Sequence, residues 1–216
     1  MEGVESLMIE IEKEVKSYIL GVRDVLSGLS QDDIKKMVEI LFKAYEEDKQ
    51  IFTMGNGGHS STATHFVNDL LKHTIVSDEK DKVIVTKNRV KAMCLCDNIS
   101  TLTAWANDLG YEYCFSEQLA NWVEEGDVVI GISGSGNSEN VLKAFEVARE
   151  KGAITICLTG RDGGRAKGIA DLSIIVPTDN MLYIEDIHLL ITHLCCDVLK
   201  KLIRLSSYLE LEGERK

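Results

Sequence analysis

The sequence predicts an α/β fold: a three-layer sandwich in which helices cover both faces of a five-stranded parallel sheet, with a helical extension at the N-terminus. Two observations carry this. Short, β-branched apolar runs fall at 50–54, 92–96, 127–132, 153–158 and 172–176, and helical patterns separate them. Strands that are apolar on both faces belong to parallel sheets covered by helices, joined by right-handed crossovers. With 216 residues, 44% of them apolar, and one proline, the chain suits a single compact unit.

The elements follow in order. Residues 1–27 place Val4, Met8, Ile11, Val15, Tyr18, Val22 and Val25 at alternating steps of four and three, the seam of a helix that packs on another helix. The favoured reading is a contact between subunits; a helix folded back on its own domain also fits. Ser30, followed by Asp32 and Asp33, caps a second helix to about Glu47. Residues 1–48 are therefore expected to be helices for subunit packing, and 49–216 the α/β domain. After the strand at 50–54 come the turn Gly55-Asn-Gly-Gly58 and a helix from Ser60 to Lys72. Residues 74–91 form a charged excursion with room for one edge strand. Helices are expected over 99–107, 112–123, 139–149 and from 184 to about 205.

No apolar stretch reaches the roughly 18 residues of a membrane span, and the N-terminus lacks the basic-then-apolar order of a signal peptide. A soluble cytoplasmic protein with no membrane partner is expected. The six cysteines lie in or beside apolar segments without C-x-x-C or zinc-ribbon spacing, which fits buried free thiols. A formal charge of −11 argues against nucleic acid as partner. Any anion must be held by local dipoles and hydroxyls.

Such a place exists. Gly131-Ile-Ser-Gly-Ser-Gly-Asn-Ser138 joins the strand at 127–132 to a helix, so backbone N–H groups, the hydroxyls of Ser133, Ser135 and Ser138, and a helix N-terminus point at one spot suited to phosphate. It is neither a P-loop, lacking the lysine, nor a G-x-G-x-x-G turn. A plain capped turn, with Ser138 satisfying the first free amides, is the alternative. The glycine turn at 55–58 has the same design, and ligands of such sheets bind beyond the carboxyl ends of the strands, so the two turns are expected to share a site.

Taken together, Gly-Asn-Gly-Gly58, the serine loop ending at Ser138, Leu-Thr-Gly-Arg-Asp-Gly-Gly164 and Ile-Glu-Asp-Ile-His-Leu-Leu-Ile-Thr-His193 resemble the sugar isomerase (SIS) family, closest to its phosphoheptose isomerases, over about residues 1–205. The resemblance implies a flavodoxin-like or Rossmann-like SIS domain. It also implies an isomerase that interconverts sedoheptulose 7-phosphate and a D-glycero-D-manno-heptose 7-phosphate. Ser133, Gly134, Ser135 and Ser138 would hold the phosphate, with Asn56, Gly57, Gly58, Asp108 and Glu185 completing the substrate site. Asp69 and His193 would be acid and base, and zinc would sit on His65, Asp69, Glu185 and His193. Similar enzymes are tetramers with sites between subunits. This chain departs from the pattern in carrying Asp69 for a Glu, Glu185 for a Gln, Gly134 for a Thr and His59 for a Ser.

The residues support part of that set independently. His65 and Asp69 are four apart on one helix and project from one face, as a metal-gripping pair requires; a surface hydrogen bond gives the same spacing. Glu185 and His193 are separated by about 12 Å of helical rise, so one ion takes both only if the side chains lean together or a neighbouring subunit lends a ligand. His188 on the same helix reads as a packing or hydrogen-bonded residue. The implied chemistry is proton transfer between adjacent carbons through an enediol, with a carboxylate as base, an imidazole moving protons between oxygens, and a cation. A phosphosugar sensor or adaptor without catalysis, and an isomerase or deaminase for another sugar phosphate, are the alternatives.

Overall fold

The computed structural model describes the backbone of residues 2–213 and the side chains of 7–209. Helices α1 (Glu2–Leu26) and α2 (Gln31–Glu46) precede strand β1 (Gln50–Gly55) and helix α3 (Gly58–Lys72). Strand β2 (Lys91–Cys94) follows, then α4 (Ile99–Asp108), a 3-10 turn at Tyr111–Tyr113 and the short α5 (Ser116–Ala120). Strand β3 (Val128–Ser133), α6 (Glu139–Glu150), β4 (Ile154–Gly160), a 3-10 turn at Arg165–Gly168, β5 (Leu172–Val176) and α7 (Met181–Gly213) complete the order.

The five strands are all parallel in the order β2-β1-β3-β4-β5, so the expected three-layer α/β fold is observed. Alternation along β1 shows how the sheet faces two cores. Ile51 points into the layer of α2, α3 and α7 with Met37, Leu41, Phe66, Leu70, Ile187 and Ile191. Phe52 and Met54 point to the other side, where Phe115, Leu119 and Phe145 of the α5–α6 layer meet them. Carboxylates tie the strand entrances: the buried Asp127 accepts from the Gln50 and Glu124 amides at 2.9 and 2.8 Å, and the exposed Asp171 accepts from the Thr155 amide and hydroxyl at 2.8 and 2.7 Å.

The order places β1 and β3 side by side with their crossovers leaving in opposite directions along the sheet. That is the topological switch point, where a crevice opens beyond the strand ends. The turn after β1 and the loop after β3 flank it, so the two predicted ligand turns are neighbours.

Several elements differ from expectation. The helix expected at 112–123 breaks into a 3-10 turn and five residues of α5, because Cys114 and Phe115 plunge into the core between them. Helix α7 starts three residues earlier than its apolar pattern does: Asn180 accepts from the Leu182 and Tyr183 amides at 3.0 and 3.4 Å and so caps it. The segment 74–91 forms no edge strand, only an isolated antiparallel bridge between Val76 and Val83. Its Asp78 is paired with Lys200 at 3.0 Å and Arg204 at 2.8 Å on α7.

The α1 seam divides. Tyr18 donates to Asp186 at 2.6 Å and packs edge-on against Tyr183, while Val22 and Val25 lie on the core of their own chain. Met8, Ile11 and Val15 are exposed, as are Leu7, Ile9 and Ile19; Val4 lies outside the described side chains. All six cysteines are free, five buried and Cys96 half-buried. Among the described residues no helix is long and apolar enough to cross a membrane.

Candidate functional site

The serine loop is built as a cradle rather than as a capped turn. Ser138 is the residue before α6 in extended conformation, yet it makes no side-chain capping bond. Its hydroxyl instead lies 3.0 Å from that of Ser133. Ser135 Oγ accepts from the Asn137 amide at 3.2 Å, and Asn137 Oδ1 accepts from the Arg165 amide at 3.0 Å, tying the loop to the turn after β4. Gly136 takes φ of +63°, a conformation that favours glycine, and its amide closes the loop on Ser133 O at 2.8 Å.

Facing it, Gly57 has φ of +57° and opens α3 without any side-chain cap. Gly58 packs against the Glu185 carboxylate: a Cβ there would stand 2.5 Å from Glu185 Oε2, so a side chain at 58 would push that carboxylate aside. Glu185 of α7 therefore lies against the N-terminal end of α3. Asn56 pairs with Asn140 through two reciprocal 2.9 Å hydrogen bonds, and the Tyr111 hydroxyl donates to Asn56 Oδ1 at 2.8 Å. Asn56, Tyr111, Ser138, Asn140, Lys143 and Arg165 line a cavity of about 790 Å³. Tyr111 and Asn140 escaped the sequence reading. Asn140 sits at the second position of α6, where a ligand-end polar residue could have been suspected; nothing local to Tyr111 distinguished it. Asp108, at the last position of α4, is exposed and accepts from Asn107 at 2.9 Å.

The second assembly joins α3 to α7. His65 Nε2 lies 2.9 Å from His193 Nε2, 3.3 Å from Asp69 Oδ2, and Asp69 Oδ2 lies 3.7 Å from His193 Nε2. The three offer ligand atoms within 4.8 Å of one another, a possible metal-binding group. Zinc with bonds of about 2.0–2.1 Å in tetrahedral array spaces its ligands by about 3.3 Å, so two imidazoles and a carboxylate at these separations fit. Glu185, read as a fourth ligand, is not part of the group; it is two helical turns from His193 and its carboxylate is turned to Gly58. The group stands further along α3 than the cradle, about 10 Å of rise from Gly58 to His65.

Behind the serine loop lie two buried histidines. His188 Nε2 is 3.1 Å from Thr159 O, and because a carbonyl only accepts, Nε2 carries the proton. Burial pushes His188 down to about 3, helped by the neighbouring His59, whose own value burial also lowers while Glu185 opposes. His188 is thus the hydrogen-bonded residue expected.

A doubly wound α/β sheet with a hydroxyl-lined loop at its switch point and a carboxylate–imidazole cluster further along α3 defines a class of small-molecule-binding α/β domains. The chain belongs to the SIS domain family, whose model matches residues 17–160. Relatives include the phosphoheptose isomerases of Helicobacter pylori strain 26695, 38% identical over 88% of this chain and 94% of that one, and of Clostridium acetobutylicum, 35% identical over 95% and 96%. The structure of the phosphoheptose isomerase GmhA from Neisseria gonorrhoeae superposes with a TM-score of 0.79 at 28% identity, covering 88% of this chain and 99% of that one.

Proposed function

We propose that the protein is a phosphoheptose isomerase, converting sedoheptulose 7-phosphate into D-glycero-D-manno-heptose 7-phosphate through an enediol. The observation that carries the reading is the meeting of Asp69, His65 and His193 in one cluster, in a chain whose serine loop is free of capping duty. A sensor has no need of a carboxylate held within 3.7 Å of two imidazole nitrogens. The relatives named as isomerases match over nearly their full length, which supports carrying their reaction to this chain.

The phosphate binds to Ser133, Ser135 and Ser138 and to the amides of the cradle, which fixes the remote end of the substrate and so orients its reacting carbons. Asn56 and Asn140, held rigid by each other and by Tyr111, meet hydroxyls of the sugar, with Asp108 a further sugar contact. Asp69 takes the proton from carbon and returns it to the neighbouring carbon. His193 moves a proton between the two adjacent oxygens. His65, Asp69 and His193 would hold zinc, which when bound supplies positive charge for the oxygen that becomes negative.

The exposed apolar stretch of α1, from Leu7 to Ile19, supports a homo-oligomer, a tetramer with sites between subunits. Coverage by other copies removes those side chains from water and lets the cluster of one copy face the cradle of another.

Incubation of the purified protein with sedoheptulose 7-phosphate, with and without a chelator, tests the function. Turnover to the aldose, lost on chelation, is expected. Tight binding of the sugar phosphate with no turnover would leave a sensor in its place, and no binding would leave an adaptor.

A further inference from the structure

One buried side chain at the cradle has no task in the reaction above. His59, the second residue of α3, is 6% exposed, and its Nε2 is buried without a hydrogen-bond partner among the described residues. Its ring abuts the middle of the serine loop: a Cβ on Gly134 would stand 2.9 Å from His59 Cε1 and 2.6 Å from Met181 Sδ. Cε1 is bonded to both ring nitrogens, and of the two Nε2 is the one buried without a partner. His188, whose ring centre is 5.1 Å away, does not satisfy it, since no hydrogen bond joins the two rings and His188 spends its Nε2–H on Thr159 O. Burial lowers the His59 value, with Glu185 opposing, and in the neutral imidazole one ring nitrogen carries an N–H to give. A buried polar atom of this kind is ordinarily paired.

We infer that His59 is a specificity-determining residue of the anion cradle, its Nε2–H donating to an oxygen of the bound phosphate group from a ring seated against the middle of the serine loop, where Gly134 has no side chain to displace it. The inference rests on the sugar-phosphate reading given above. His59 and Gly134 are complementary in size: a side chain at 134 and an imidazole at 59 compete for one volume, with Met181 as its third wall. A ring nitrogen thus joins the hydroxyls of Ser133, Ser135 and Ser138, and it enters from α3 rather than from the loop itself.

Calorimetric titration of the full-length protein with inorganic phosphate and with sedoheptulose 7-phosphate tests this in the wild type and in H59A, H59Q, H59S, G134T and H59S/G134T, with thermal melts run in parallel. H59A is expected to weaken both ligands by about ten- to a hundredfold, the loss of one hydrogen bond to a charged group. H59Q, which keeps an N–H near the same place, should recover most of that loss, a recovery that a merely structural role does not explain. In turnover the change should fall on KM, with kcat little altered, because phosphate is held alike in ground and transition states. G134T should weaken phosphate binding strongly when His59 is present and little when it is replaced by serine, the flexible end of Met181 yielding. Should H59A unfold, H59Q against H59S carries the comparison. Equal phosphate affinity in the wild type and the His59 variants, or the same effect of G134T in both backgrounds, overturns the inference and leaves the isomerase reading standing. Phosphate affinity that depends on His59 in a protein without turnover overturns only the isomerase reading. A wild type that binds neither ligand sinks both.

Discussion

His65 and His193 place their Nε2 atoms 2.9 Å apart although 128 residues separate them in sequence. Two imidazole nitrogens meet in this way when one donates a proton to the other or when both turn lone pairs to a shared cation, and Asp69 Oδ2 lies 3.3 and 3.7 Å away to complete either arrangement. Competition with a chromogenic chelator should therefore show one zinc per chain, weakened by at least about ten- to a hundredfold in H65A, H193A and D69N. E185Q should keep wild-type zinc affinity, because that carboxylate is turned to Gly58. An equal loss in E185Q would show that Glu185 joins the ion.

The proton-transfer role of Asp69 makes a separate kinetic prediction. Asp69→Asn should lower kcat for sedoheptulose 7-phosphate by about 10²–10⁴ while KM changes little, since a general base acts in the transition state and the phosphate is held elsewhere. Asp69→Glu should also lose activity, by about a hundredfold. An added methylene displaces the carboxylate by about 1 Å in a cluster whose nitrogens already lie 3.3 and 3.7 Å from it. Unchanged kcat in Asp69→Asn would remove the residue from the chemistry.

What was legible in the sequence follows the physics that is local. Strand positions such as 172–176 and the Ser30 cap are encoded by neighbours, whereas crossover rules fix the hand of each connection but not the order of the strands. The i,i+4 pair His65 and Asp69 was readable because a helix fixes which residues share a face. Its closure by His193 rested on likeness to a family, since no spacing within one helix can tell which residue of another it meets. Tyr111 and Asn140 were missed for the same reason: their bonds to Asn56 span 55 and 84 residues. Glu185 was assigned to the metal by resemblance; within one chain two turns of α7 separate it from His193, and its carboxylate lies against Gly58.

The buried His188 predicts acid sensitivity. Its native value is about 3, well below the ordinary 6.5, so between those limits the unfolded chain binds a proton that the folded one refuses. Its contribution is therefore fully present above about pH 6.5 and is lost as pH falls toward 3, with a slope of at most about 1.4 kcal/mol per pH unit. Urea unfolding at pH 7.5, 6 and 5 should show His188→Gln flattening this dependence, because glutamine can still donate an N–H toward Thr159 O but does not titrate. Parallel curves for wild type and variant would mean that His188 takes up its proton in the folded state.

The segment at 74–91 is pinned from outside itself. Asp78 accepts from Lys200 and Arg204 of α7 at 3.0 and 2.8 Å, and Arg204 also donates to Val76 O at 3.4 Å. Inside the segment, the Ile84 amide donates to Ile75 O at 2.7 Å and the Ser77 amide to Lys82 O at 3.0 Å, too few bonds for an independent hairpin. Removing the carboxylate in Asp78→Ala leaves the nearly buried Lys200 ammonium without that partner and frees the loop. Hydrogen exchange at the Ser77 and Ile84 amides should quicken in the variant while the amides of β3 and β4 keep their protection. Activity on sedoheptulose 7-phosphate should be preserved, since neither the serine loop nor the Asp69 cluster leans on this segment. Unaltered exchange at Ser77 and Ile84 would show that the loop holds its shape without α7, and lost activity would give it a part in the site.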